Sequence, residues 1–160
     1  MASIQFPSAY ASYSMKTVQK SVLIWYSAEE MFALVTDIAR YPEFLPWCDH
    51  ARVMEVAEGG VCAELGMSLG GLRQTFVTRN THVPGRLVQM ALVKGPFSQL
   101  HGDWRFLPVG DPQTRACRVE LELTYAFDSP ALAALVGPVF DRIAGSLVDA
   151  FVKRAEQVYA

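Results

Sequence analysis

Apolar residues recur along this chain with two periods, one typical of strands and one typical of helices. The clearest alternation lies in residues 114–127, where every second residue from Cys117 to Phe127 is apolar and most residues between them are polar. Such a pattern predicts a strand with one buried and one solvated face. Short turn-forming stretches separate further strand-like segments, at 51–57, 61–67, 72–83, 86–93 and 100–107. Short turns between consecutive strands indicate an antiparallel meander.

A strand and a helix precede this meander. Residues 16–26 carry apolar side chains on both sides, which is typical of a strand at the edge of a wide sheet. Ser27 is a predicted N-cap and Glu30 its capping-box partner, so a helix begins here. The helix must end before Pro42, because proline cannot continue it.

A long amphipathic helix follows the meander. Ser129-Pro130 gives a cap followed by proline in the first turn, and apolar residues then recur at steps of three and four up to about Tyr159. We expect Gly137-Pro138 to kink this helix or to divide it. At 1.5 Å per residue the helix is about 44 Å long, enough to cross a sheet of six or seven strands.

These elements predict an α+β domain over residues 15–160. An antiparallel sheet of six to seven strands curves around the long C-terminal helix, and the space between two apolar linings is a natural lipophilic pocket. Residues 1–14 have no charge and no periodicity, so we expect a disordered extension there. A chain of 160 residues with 51% hydrophobic and 19% charged residues fits one such domain.

The charge of the chain limits the partners it can have. A net charge of −2 argues against a general nucleic-acid binder, and no DNA partner is expected. The charges are uneven, however, because residues 70–118 contain seven bases and two acids. These bases either make one face locally basic or simply solvate the outer face of the sheet. The three cysteines and three histidines show no metal-ligand spacing, which predicts reduced thiols in a cytosolic protein and no metal site.

Residues 41–47, Tyr-Pro-Glu-Phe-Leu-Pro-Trp, are the densest run of rigid and aromatic residues. Pro42 and Pro46 fix φ and do not fit the interior of a regular helix or a central strand, so we predict a stiff, apolar loop. One interpretation is a hydrophobic plug that closes one end of the core. The other is a gate over a lipophilic cavity, or a patch that touches a membrane or a protein.

This run, with Asp37-Ile38 before it and Cys48 after it, resembles the signature of the coenzyme Q-binding, START-like proteins of the polyketide cyclase/dehydrase superfamily. Two later stretches resemble further blocks of the same family: Gly95-Pro96-Phe97 with Leu100, Gly102, Trp104 and Phe106, and Ala150-Phe151 with Arg154-Ala155. The resemblance covers residues 15–159 and is strongest to the bacterial RatA type, named for ribosome association toxin. It implies a helix-grip fold.

The resemblance implies two functions. One is binding of ubiquinone or a related isoprenoid lipid in the cavity, without a covalent cofactor, in support of respiratory quinone function. The other is binding to the large ribosomal subunit so that 70S assembly is blocked. The family name alone does not choose between them.

For the quinone hypothesis, the first block forms a gate, and the second block and the last helix line the cavity. Lys94 is the candidate donor to a quinone carbonyl, with a solvated loop lysine as the alternative. The aromatic gate residues can rest on a bilayer, which predicts a cytoplasmic protein with transient contact to the inner membrane surface. Trp104 and Phe106 are either cavity lining or plain core. The candidate gate and cavity residues are Tyr41, Pro42, Phe44, Leu45, Pro46, Trp47, Lys94, Pro96, Phe97, Trp104, Phe106, Phe140, Ile143 and Leu147.

The other two hypotheses need different groups. Ribosome binding needs phosphate contacts, which the bases of residues 70–118 can supply although the overall charge opposes it. A cyclase or dehydrase needs an acid or base inside the pocket, and the candidates are His82, His101 and Asp103. We therefore expect a non-enzymatic protein that binds an isoprenoid quinone or lipid, with the ribosome toxin as the alternative.

Overall fold

The computed structural model describes residues 15–69 and 71–160, so the extension predicted at 1–14 lies outside them. Within these residues, two α-helices, α1 (Ala28–Thr36) and α2 (Pro130–Tyr159), and a 3-10 helix (Ile38–Glu43) accompany one antiparallel sheet. The strands are β1 (Lys16–Ile24), β2 (Cys48–Ala57), β3 (Gly60–Leu69), β4 (Leu72–Val83), β5 (Leu87–Lys94), β6 (Phe97–Pro108) and β7 (Cys117–Phe127). Their order across the sheet is β1-β7-β6-β5-β4-β3-β2.

The predicted α+β helix-grip architecture is confirmed, with seven strands curving around α2. Two strands begin earlier than the sequence pattern indicates, because their pairing partners extend that far: Cys48 pairs with Met67, and Phe97 with Phe127. The helix α2 is not divided at Pro138, which lies inside it on the exposed side. There, water can hydrate the carbonyl group that the missing proline N–H leaves free.

The first half of α2 is fixed to β7 and β1 by a buried aromatic residue and an anchored carboxylate. Phe140 packs against the rings of Tyr125 and Phe97, with centroid distances of 4.6 and 5.0 Å. The Tyr125 hydroxyl donates to Asp141 Oδ1 at 2.5 Å, and Lys16 forms an ion pair with the same carboxylate. By length and composition α2 is apolar enough to cross a membrane, but here its apolar stripe is buried against the sheet.

Glu30 connects the start of α1 to two distant parts of the chain. The predicted capping box is confirmed: Ser27 Oγ accepts from the Glu30 N–H at 3.1 Å, and Glu30 Oε1 accepts from the Ser27 N–H at 2.9 Å. Arg115 donates to both carboxylate oxygens of Glu30, at 2.8 and 2.6 Å. The hydroxyl of Tyr159, at the end of α2, donates to the Glu30 carbonyl at 2.8 Å. These contacts join α1, the approach to β7 and the C-terminal end of α2.

The Glu30 carboxylate makes stability depend on pH. The hydrogen bonds from Arg115 lower its pKa from 4.5 to about 2, so the charged carboxylate stabilises the folded state above about pH 4.5 and this contribution is lost as the pH falls towards 2. We expect Glu30→Gln to lower the free energy of unfolding at pH 7 by about 1–3 kcal/mol. Urea unfolding followed by circular dichroism from pH 7 to pH 2 measures both effects.

Glu29→Gln is the matched control, because Glu29 is exposed on the same helical turn and has no hydrogen-bond or ion-pair partner in the described ranges. We expect this control to retain the pH dependence of the unaltered protein. An equally steep loss of stability on acidification in Glu30→Gln would contradict the assignment.

Candidate functional site

An apolar cavity lies between α2 and the concave side of the sheet. Because α2 packs mainly over β1 and β7, the concave side of β3, β4 and β5 is left to face this space. The volume open to the centre of a water-sized sphere is about 70 Å³, room for on the order of five waters. The lining residues are Ile38, Tyr41, Trp47, Ala63, Leu65, Phe76, Thr78, Asn80, Met90, Leu100, Trp104, Leu123, Phe140, Ile143, Leu147 and Phe151.

The segment 41–47 closes one end of this cavity with its side chains turned inward. Tyr41 and Trp47 line the cavity, and the Tyr41 hydroxyl donates to the Val35 carbonyl at the end of α1. Leu45 is buried in the core, and the half-buried Phe44 ring lies 5.1 Å from that of Phe151. The aromatic rings predicted to rest on a bilayer are thus packed against the protein in this conformation.

The prediction of an irregular loop over residues 41–47 was wrong for its first part. Pro42 lies inside the 3-10 helix, and a turn follows in which the Leu45 N–H donates to the Tyr41 carbonyl at 2.9 Å. A helix of six residues tolerates this proline, because few of its backbone N–H groups have partners inside the helix. Pro42 and Pro46 are both exposed, so neither lines the cavity.

One arginine ties the segment to α2. Arg154 Nη2 donates to Glu43 Oε1 at 2.7 Å, and its guanidinium lies 5.0 Å from the centre of the Phe44 ring. Arginine over an aromatic face adds a cation–π attraction to the ion pair. Movement of the segment away from the cavity therefore has to break both contacts.

The second block and α2 divide into cavity lining and core. Trp104, Phe140, Ile143 and Leu147 line the cavity, as the sequence predicts. Phe97 and Phe106 are buried but do not line it: Phe97 belongs to an aromatic cluster with Phe76, Phe127 and Phe140, and Phe106 packs against Phe32. Pro96 is buried in the turn before β6, where its carbonyl accepts from the Asp128 N–H at 3.2 Å.

Lys94 does not reach the cavity, so its prediction as the polar partner of a ligand is corrected. It is the last residue of β5, it is exposed, and it pairs with Val77 next to an irregularity in the register. An ammonium group is far cheaper to leave in water than to place in an apolar cavity. Solvation at the strand end therefore accounts for its position.

The polar groups inside the cavity are instead Thr78 and Asn80 on β4. They are 5% and 7% exposed, and Thr78 Oγ1 donates to Asn80 Oδ1 at 2.8 Å. No group in residues 15–69 and 71–160 accepts a hydrogen bond from Asn80 Nδ2. The cavity thus holds one amide donor that can meet an acceptor on a ligand.

Sequence reasoning missed this pair because β4 has polar residues on both faces. Thr75, Arg79 and Thr81 alternate with the inward residues, so no apolar face indicated which polar groups are buried. The one signal in the sequence is spacing: Thr78 and Asn80 lie two and four residues after the buried Phe76, which puts all three on the same face of the strand.

The predicted acid–base candidates lie outside the cavity. His101 is exposed and Asp103 accepts from Arg105 at 3.1 Å, so both belong to the convex face of the sheet. His82 lies at the far end of β4 with its ring 5.8 Å from Phe32, and burial lowers its pKa. Among the described residues that line the cavity there is no carboxylate, imidazole or thiol, and the described part of the chain contains no metal-binding cluster. The acid–base candidates of the sequence, His82, His101 and Asp103, are therefore not brought together in the cavity.

The bases of residues 70–118 do not form one basic face. Three of them lie in ion pairs that neutralise them locally, Arg73 with Asp49, Arg105 with Asp103 and Arg115 with Glu30. The others are spread over different strands and turns. Of the two interpretations of these bases, the structure therefore favours the one in which they solvate the outer face of the sheet over the one in which they form a locally basic face.

Comparisons with known proteins agree with this geometry. The profile described as "Polyketide cyclase / dehydrase and lipid transport" matches residues 24–152. The chain is 45% identical over 142 residues to the ribosome association toxin RatA of Pseudomonas aeruginosa, covering 89% of this chain and 96% of that protein. It is 27% identical over 141 residues to the coenzyme Q-binding protein COQ10 homolog B, mitochondrial, of Xenopus laevis, covering 88% of this chain and 58% of that protein.

Among solved structures, the Zhui aromatase/cyclase from Streptomyces sp. R1128 superposes with a TM-score of 0.77 at 17% identity, covering 89% of this chain and 94% of that one. At this identity the likeness shows the fold alone. The resemblance seen in the sequence blocks is confirmed by the profile and by the relatives. The chain therefore belongs to the polyketide cyclase / dehydrase and lipid transport family.

Proposed function

We propose that this protein associates with the ribosome, binding the large subunit so that 70S ribosomes do not assemble. The observation that supports this most is the similarity to a ribosome association toxin, at 45% identity over 96% of that protein's length. The coenzyme Q-binding relative is more distant, at 27% identity over 58% of its length. The order of the two hypotheses drawn from the sequence is therefore reversed. The proposal implies a cytoplasmic protein.

The mode of binding differs from the one expected from the sequence. The arginines of residues 70–118 are dispersed and three are paired, so few are free to neutralise phosphates. An interface with few phosphate contacts loses little affinity when salt is added. A steric block by a compact domain needs one well-fitted surface rather than an extended basic one.

The test is sedimentation of the full chain with purified ribosomal subunits. We expect the protein to sediment with large subunits, and the 70S peak to fall when it is added to a mixture of large and small subunits. Small subunits alone serve as the control and should not carry the protein. An unchanged 70S peak together with no protein in the large-subunit fraction would rule the proposal out.

We further propose that the protein is not an enzyme, although the same fold serves a cyclase among its structural neighbours. Acid–base chemistry needs a titratable group within hydrogen-bond reach of the substrate. Around the cavity, the described polar side chains are a threonine, an asparagine, a tyrosine and two tryptophans. The Tyr41 hydroxyl already donates to a backbone carbonyl, and burial raises its pKa far above neutral.

A second function, binding of an isoprenoid quinone or related lipid in support of respiration, is favoured by the cavity itself. The walls are apolar, and Asn80 Nδ2 offers a donor to a quinone carbonyl, the role first assigned to Lys94. A ligand oxygen that reaches this amide gains a hydrogen bond in an apolar surrounding. The free space is small, with about 70 Å³ open to the centre of a water-sized sphere. A long tail must therefore leave through the open side or displace the gate.

Ligand binding is tested by extracting the protein purified from its own host and analysing the extract by mass spectrometry. In parallel, quenching of Trp47 and Trp104 fluorescence follows titration with a short-chain ubiquinone. We expect Asn80→Leu to raise Kd about 5- to 10-fold, since a lost hydrogen bond costs about 1–1.4 kcal/mol.

Thr78→Val and Thr81→Val make a matched pair for the same titration. Both remove a hydroxyl from β4, but Thr78 lines the cavity and Thr81 is exposed on the other face. We expect only the first to weaken binding. An empty extract together with no quenching by the short-chain quinone would exclude the ligand hypothesis.

A further inference from the structure

One end of the convex face of the sheet is apolar. The register places Leu23 of β1 beside Arg118 of β7, and Arg118 beside Leu107 of β6. Leu23 is 50% exposed, Leu107 is 41% exposed, and Trp25, two residues beyond Leu23, is 72% exposed. Val83 of β4, 50% exposed, lies two strands away: it pairs with Leu87 of β5, which pairs with Arg105 of β6. We call Leu23, Trp25, Val83, Leu107 and Arg118 the convex-end patch.

The middle of the convex face is polar, as an antiparallel sheet with one solvated face should be. The row through its middle is polar on five successive strands and contains Gln19, Glu122, Asp103, Gln89 and Thr81. Other apolar side chains of the sheet are exposed too, at Val93 of β5 and Val56 of β2, but at this end Leu23 and Leu107 flank one arginine and Trp25 follows Leu23. Exposed apolar side chains grouped in this way are one mark of an interaction site.

Arg118 indicates the chemistry of the partner. Its Nη1 lies 3.4 Å from Ser21 Oγ, and no carboxylate in the described ranges lies within ion-pair distance of it. By contrast, Arg105 and Arg115, the neighbouring arginines, are paired with Asp103 and Glu30. The patch thus presents one uncompensated guanidinium between two leucines. A protein surface with apolar side chains around a carboxylate complements it.

RNA complements the patch less well. Binding to a phosphate backbone relies on several lysines or arginines together, and the patch has one unpaired arginine. The leucine and valine side chains give no stacking surface for bases, and Trp25 is the one aromatic ring of the patch. Tryptophan and arginine among aliphatic residues, without lysine, are typical of the centre of a protein–protein interface.

We propose that the convex-end patch is the surface through which this chain contacts a protein component of the large ribosomal subunit, by apolar packing around one arginine–carboxylate pair. This inference rests on the proposed ribosome association and specifies its contact surface. The patch lies on the opposite side of the sheet from the cavity, so a ligand in the cavity leaves it uncovered.

The test measures the affinity of full-length variants for purified large subunits by sedimentation. We expect Trp25→Ala and Arg118→Glu each to raise Kd at least 10-fold. The matched controls are Val56→Ala, at an equally exposed apolar residue on β2, and Arg79→Glu, at an exposed arginine on β4. Both controls should stay within twofold of the unaltered protein. Circular dichroism melting checks that all four variants fold.

Photo-cross-linking identifies the class of partner. With Val83→benzoylphenylalanine at the edge of the patch, we expect a cross-link to a protein of the large subunit, and binding that changes less than about threefold between 50 and 200 mM salt. Cross-linking to ribosomal RNA alone would overturn the assignment of a protein partner.

The failures of the two proposals are distinguishable. If the unaltered chain binds large subunits and the patch variants bind equally well, the convex-end patch is not the contact and the ribosome proposal stands. If the unaltered chain does not bind at all, both proposals fall.

Discussion

The seating of α2 on one half of the sheet is the constraint on which the rest of this structure depends. Phe140 is enclosed by rings from β6 and β7, and burial of a side chain of this size contributes about 1.5–3 kcal/mol. Asp141, next to it, is held by Tyr125 and Lys16. Because the curved sheet is wider than one helix, this seating leaves part of the concave face uncovered. The cavity is the consequence of that mismatch.

The contents of the cavity, rather than the fold, limit what the protein can do. The same architecture is found in an aromatase/cyclase, so the fold itself does not choose between catalysis and binding. Here, the described lining offers a hydrogen-bonded threonine and asparagine and no acid or base. Such a lining is the basis for proposing a ligand that fits by shape and by one acceptor, and for proposing that the protein is not an enzyme.

The two proposed functions use opposite faces of one sheet and do not compete for space. The proposed ligand site is on the concave side, behind the segment 41–47, which Arg154 connects to α2. The proposed contact with a macromolecular partner is on the convex side, where Trp25 and Arg118 lie. The strands are common to both surfaces. A domain of this size can therefore carry a small-molecule site and a docking surface together.

The sequence by itself determined the order of the elements, the helix cap at Ser27 and which face of strands such as β7 is buried. Each of these depends on a local signal: the residues that form turns, the spacing of Ser27 and Glu30, and the alternation of apolar and polar side chains. For residues 41–47 the sequence left two interpretations open, a plug at one end of the core and a gate or contact patch. The tertiary structure decided what local patterns cannot encode: that Lys94 is solvated, that Thr78 and Asn80 are buried, and that arginines pair with distant acids. Burial of a polar residue depends on which elements cover it, and that is fixed only when α2 packs onto the sheet.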